Sequence, residues 1–159
     1  MNNAYPLPAF SFSVSLHGLP SGPDASFSEV SGLEAERTFE EVREGGENRF
    51  AHRLPGHTRS RDLVLKRGII NAASPLREWV RQTLESDLGT MIQTIDLDVS
   101  LLDAEGSPVM AWSVTRAWPL RFNIAALDAA RSEVAVESLV LSYAQLRQNP
   151  VRVSVGLFF

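Results

Sequence analysis

The chain has 159 residues, with 15 Lys and Arg against 19 Asp and Glu for a formal net charge of -4, and no cysteine. That length suits one domain (1–159) that buries roughly 70% of its unfolded surface without a staple. The absent cysteines exclude disulfides and thiolate metal sites, and the acidic balance argues against a dedicated nucleic-acid or anionic-membrane binder. No stretch approaches the ~20 consecutive apolar residues of a membrane span. "MNNAYPLPAFSFS" lacks the basic flank and apolar core of a signal peptide, so manufacture in the cytoplasm is expected.

In chain order, Phe10, Phe12, Val14 and Leu16 alternate with serines, which predicts a half-buried strand. "HGLPSGPD" (17–24) follows as a loop. "SFSEVSGLEAERTFEEVREGG" (26–46) is compatible with a helix, but Gly32 and the alternation of Leu33, Ala35 and Arg37 favour a long strand with a bulge. Residues 43–61 hold three glycines, a proline, five arginines and two histidines, and read as a long exposed loop. A loop of that length in a compact domain is usually functional, because its ordering entropy must be offset by a partner.

Leu63 and Leu65 begin another strand, which ends in Lys66-Arg67-Gly68. Ser74 and Pro75 then look like an N-cap and first helical residue. Leu76, Trp79, Val80, Thr83 and Leu84 share one helical face, with Gly89 as the expected stop. Ile95, Leu97, Val99 and Leu101 alternate with polar residues, "DAEG" (103–106) turns, and 94–122 is expected to be a hairpin. A helical turn is expected within 123–133 and a final long strand at 133–146, with Glu133 and Glu137 on one face. The sum is mainly β: a barrel or sandwich of about six to eight strands with one flanking α-helix.

Little in this chain points to reaction chemistry. No P-loop or dinucleotide fingerprint occurs. Six residues separate Gly68 from Pro75, too many for one phosphate nest at the helix start. His52 and His57 lack a third ligand at metal spacing and read as solvated loop histidines. Asp96 and Asp98 fall on the outer face of a strand, and no serine sits in a nucleophile elbow. Trp79 reads as core, and at least one of Trp112 and Trp118 is expected under the helix. No catalytic residue, cofactor or metal is expected.

Larger blocks carry a resemblance: "FSEVSGLEAE" (27–36), "VREGGENR" (42–49), "LPGH" (54–57), "LVLKRGI" (63–69), "LREWV" (76–80), "LLDAEGSPVMAWSVTRAWPLRF" (101–122) and "SEVAVESLVLSY" (132–143). In this order they resemble the phage tail tube protein family, in the branch that builds contractile tails and extracellular contractile injection systems. The tube fold is shared with haemolysin-coregulated protein. The resemblance implies a structural subunit forming six-membered rings that stack into a hollow tube inside a contractile sheath. Its implied partners are its own copies, the sheath protein, the baseplate and spike hub, a tube terminator or cap, and cargo in the lumen. It implies release within an extracellular particle or virion, and no membrane insertion.

A ring that also stacks needs two different complementary surfaces on one subunit. The 43–61 segment is the candidate axial surface, through Arg43, Glu44, Asn48, Arg49, His52, Arg53, His57 and Arg59. Lys66 and Arg67 are expected to meet Glu40, Glu41 or Glu44 of a neighbour. The apolar "GLFF" ending fits either docking on a neighbour or a specialised subunit at the baseplate junction. Two alternatives remain open: the tail tube of an intact phage conducting DNA, and a monomeric β-barrel binding a small ligand.

Overall fold

The structure, a computed structural model, describes residues 10–20, 26–43, 45–46, 51–69, 73–125 and 135–151. Its strands are β1 (Ser11–Leu16), β2 (Ser26–Phe27), β3 (Glu29–Ser31), β4 (Ala35–Val42), β5 (His52–Ser60), β6 (Leu63–Gly68), β7 (Ile95–Leu102), β8 (Pro108–Ile124), β9 (Val136–Ser142) and β10 (Gln145–Asn149). The helix α1 spans Pro75–Glu85. The mainly-β expectation with one helix holds.

The strands run in the order β2-β1-β7-β8-β9-β6-β3, all antiparallel, with β10 added beside β8. Ser28 alone separates β2 from β3, and its N–H donates to the Lys66 carbonyl at 2.9 Å. Segment 26–31 therefore pairs with β1 at its start and β6 at its end, closing the path into a small barrel. Alternation fills the interior: Val14, Leu63, Leu65, Leu97, Val99, Val114, Leu139 and Leu141 are buried. α1 lays Leu76, Trp79 and Val80 on this core. The Trp79 Nε1–H reaches the Gln93 carbonyl at 2.9 Å, so its one polar atom is satisfied.

Several local expectations hold. Ser74 caps α1, its hydroxyl accepting from the Arg77 N–H at 3.1 Å, with Pro75 first in the helix. The β7–β8 hairpin turns at Asp103, whose carboxylate accepts from the N–H groups of Glu105 and Ser107. Gly106 takes a φ of 81°, as the tight turn requires. Trp112 is buried and Trp118 half-buried.

Others need correction. The helix ends at Glu85, four residues before Gly89, because Ser86 leaves the helical region with ψ 148°. The 26–46 stretch is not one strand but β2, β3 and β4. Gly32 breaks it with a φ of 87°, and a Cβ there would lie 2.0 Å from the Asp62 carbonyl oxygen. The final strand is divided at Tyr143–Ala144, where β9 gives way to β10 along the same long β8. The helical turn expected in 123–133 is corrected at its start, since Asn123 and Ile124 belong to β8. Residues 126–133, including Glu133, and the "GLFF" ending lie outside the described residues.

Candidate assembly surfaces

The predicted 43–61 loop is largely a strand. β5 pairs antiparallel with β4, from Ala35↔Ser60 to Val42↔His52, as a separate two-stranded ribbon. Its register shifts between Arg37 and Phe39, where β5 carries an extra residue. Thr38 anchors the irregularity by donating its hydroxyl to the His57 carbonyl at 3.0 Å. Gly56 is required there: a Cβ would lie 2.5 Å from the Thr38 Oγ1. Every residue of the ribbon is exposed except Thr38 and Gly56, which are half-buried.

This ribbon gathers most of the predicted contact residues on one projection: Glu40, Glu41, Arg43, His52, Arg53, His57 and Arg59 are all exposed. Arg53 lies with its guanidinium 4.6 Å from the centre of the Phe39 ring. Glu44, Asn48 and Arg49 lie outside the described residues.

Lys66 and Arg67 part company, because adjacent residues of a strand point to opposite faces. Lys66 points outward, 3.4 Å from Glu29 of the neighbouring β3, with both side chains partly exposed. Arg67 points into the barrel and is 3% exposed. Its Nε donates to Glu137 Oε1, directly opposite on β9, while Arg77 Nε of α1 donates to Glu137 Oε2 at 2.9 Å. The guanidinium also stacks over Phe27 at 5.0 Å, and Arg67 Nη2 reaches the Ser74 hydroxyl at 3.4 Å. The expectation that Arg67 meets a neighbour's carboxylate is therefore corrected: it ties β6, β9 and the start of α1 together inside its own subunit. The signal was in the sequence, since Arg67 shares parity with Leu63 and Leu65, and Glu137 with Leu139 and Leu141.

The third surface is the outer face of β1-β7-β8-β10. Its rows, read across the register, hold Ser13, Ser100, Ala111 and Asn149, then Ser15, Asp98, Ser113 and Arg147. Small polar side chains dominate it. Asp98 stands 2.7 Å from His17 Nε2 and accepts from the Ser113 hydroxyl at 2.8 Å; Asn149 donates to Ser113 Oγ at 2.6 Å. Partial burial opposes the charge on Asp98, but the His17 and Ser113 bonds prevail and hold its carboxyl below the ordinary range. This trio is not a hydrolase triad. The carboxylate stands between the histidine and the serine, so the hydroxyl donates to Asp98 and has no imidazole base. Among the described residues no three acidic or histidine side chains are grouped to hold a metal.

The sequence profile of the T4-like virus tail tube protein gp19 matches residues 8–147. Among solved structures, a chain from the anti-feeding prophage baseplate, 6-fold symmetrised, is similar at 27% identity and a TM-score of 0.73, over 96% of this chain and 100% of that one. A chain from the PVC sheath-tube complex in its extended state is similar at 26% identity and a TM-score of 0.72, over 94% and 95%. Hcp1 from Salmonella typhimurium shares the fold, with a TM-score of 0.55 at 11% identity over 88% of this chain and 85% of that one. A direct sequence comparison with curated proteins gives no match.

Proposed function

The chain belongs to the T4-like virus tail tube family, whose members are structural proteins rather than enzymes, and we propose that it is the ring-forming subunit of the inner tube of a phage-tail-like contractile injection system. Six copies close each ring, as the 6-fold symmetry of the similar prophage baseplate supports, and the rings stack inside a contractile sheath. The injector is favoured over an intact phage because the neighbours at 26–27% identity come from injection systems. The partners on this reading are sheath, baseplate and terminating cap, after the complexes that hold those neighbours. The particle acts outside the cell that makes it.

The observation that carries the reading is the β1-β7-β8-β10 sheet. Among the described residues, β10 pairs on one side only, and so do Val14–Leu16 of β1. Open edges at opposite ends of one sheet are an aggregation liability in a monomer. In a ring they are the joint: β10 of one copy continues the sheet into β1 of the next. The small polar face then lines the bore, where short side chains leave room and present little apolar surface to passing cargo. The exposed ribbon makes contacts beyond the subunit through Glu40, Glu41, Arg43, His52, Arg53, His57 and Arg59, with Lys66 at the barrel surface beside Glu29.

Negative-stain electron microscopy of the purified protein, with light scattering for mass, tests this reading. Six-fold rings or stacked tubes are expected, alone or after addition of baseplate components. A monomer under both conditions overturns it.

A further inference from the structure

Resting on the tube reading, we propose that the joint between neighbouring copies in a ring is keyed by charge. Arg147, on the open β10 edge of one copy, lies over Ser15 of the next and pairs with the Asp98 behind it. The register fixes the rows from which this follows. Leu16, Leu97, Val114 and Leu146 form one row across the four strands, and Ser15, Asp98, Ser113 and Arg147 form the next. Leu16 and Leu146 pack against the core, so the second row faces outward. β2 covers Phe12 and Ser13 of β1, which leaves Val14–Leu16 as the open edge with Ser15 at its middle. Arg147 is likewise the middle of β10. β10 runs opposite to β1, so the antiparallel alternation of the sheet continues across the joint.

Centre against centre sets Leu146 beside Leu16 and Arg147 beside Ser15 of the next copy, and both rows continue unbroken. A slip of one residue would bring the outward Arg147 against the inward Val14 or Leu16. A slip of two toward the start of β1 would set Arg147 against Ser13, where β2 already lies. A slip of two the other way would set Pro150, which has no N–H, against Val14. The charges agree with the remaining register. Arg147 is exposed and makes no ion pair among the described residues. Of the two carboxylates on this face of β7, Asp96 accepts the Arg116 N–H at 2.8 Å. Asp98 turns Oδ1 to Ser113 of β8 and Oδ2 to His17 beyond β1, and its side chain is 44% exposed. A carboxylate has lone pairs beyond those two contacts. The way from Arg147 to Asp98 of its own copy crosses Ser113, whose oxygen is already held between Asp98 and Asn149. The way to Asp98 of the next copy crosses Ser15, a small side chain, over two strand spacings or about 10 Å. Contacts of this kind fix partner and register. Six such joints would close a belt of alternating charge around the bore.

Arg147→Glu and Asp98→Arg proteins, prepared separately, test the joint. Each alone sets like charges together at every joint, and ring and tube yield by electron microscopy and light scattering is expected to fall at least ten-fold. Mixed in equal amounts, the two are expected to recover most of the wild-type yield, because a ring that alternates them has opposite charges at every joint. Mixing cannot repair a contact made inside one copy. Full assembly of either variant alone, or a mixture no better than its components, overturns the proposal, while wild-type tubes leave the tube reading standing. If Asp98→Arg fails to fold by circular dichroism, the isosteric Asp98→Asn takes its place. Labelled Arg147→Glu protein is then expected to enter tubes several-fold more readily with Asp98→Asn copies than with wild-type copies, and equal entry overturns the pairing. Wild-type protein that never assembles overturns both this proposal and the reading beneath it.

Discussion

The β6–β9 ladder and the β4–β5 ribbon are both antiparallel pairs, yet they hold together for opposite reasons. In the ladder, Leu63↔Leu141 and Leu65↔Leu139 face the interior, and the third inward pair is Arg67↔Glu137. Apolar burial stabilises this region, and the ion pair, clamped by Arg77 and Ser74, sets where α1 starts. In the ribbon no residue is buried, and its cross-strand pairs, such as Glu41↔Arg53, lie in water, where an ion pair contributes little. The difference teaches that pairing alone does not tell whether a strand pair rests on the subunit's own core. What separates the two is whether the inward parity has an interior to meet.

Glu137→Ala is the change expected to act most strongly on the ladder. It leaves two guanidinium groups around a buried vacancy and should cost about 3–5 kcal/mol, read as a fall in thermal midpoint of roughly 10 °C for a domain of this size. A midpoint within a degree or two of wild type would mean that the Arg67–Glu137 pair does not hold the ladder. Next comes Gly32→Ala, at the corner where the barrel hands the chain to the ribbon. Its positive φ and the approach to the Asp62 carbonyl predict a loss of about 1–3 kcal/mol in urea titration.

Asp98 tests the barrel's outer face, between the two extremes. Its folded carboxyl is held below the ordinary value, so its contribution is complete above the unfolded value near ~4 and is lost as pH falls through the lower folded one. Because the pair with His17 is largely solvated, the effect should stay below about 1 kcal/mol. Urea midpoints between about pH 6 and pH 3 should lose that part of their slope in Asp98→Asn. Least affected in the isolated subunit is Leu54→Ser in the ribbon, which should shift monomer stability by no more than about 0.5 kcal/mol. The same protein should assemble poorly by light scattering. A large stability loss with normal assembly would reverse the roles of the two regions.

Much of the barrel was legible because its signals are local. Alternation at Phe12–Leu16 and Ile95–Leu101, the Ser74-Pro75 helix start and the Asp103–Gly106 turn each announce themselves within a few residues. β5 was not legible for the same reason. "HRLPGHTRS" contains a proline, a glycine and no apolar alternation, so nothing nearby marks it as a strand. Its partner β4 lies across a connection, and no interior burial enforces the pairing. Arg67 is hidden on a different ground: a Lys-Arg doublet looks like surface by composition, whereas strand parity separates the two residues by a full face. Gathering the hydroxyl-rich sheet into one surface depends on the register of four strands, which no single segment encodes.

The 17-residue β8 belongs to both halves of the barrel, with β7 and β10 along its first part and β9 along its last. That gives the subunit a spar. A tension applied along β8 is resisted by many ladder hydrogen bonds sharing the load in shear, rather than by one bond after another as in unzipping. On the proposed tube reading, in which a contracting sheath drives the tube forward, rupture strength along β8 would matter more than equilibrium stability. One long strand, bulged where Arg116 takes a φ of 51° and again between Pro119 and Arg121, joins one half of the barrel to the other.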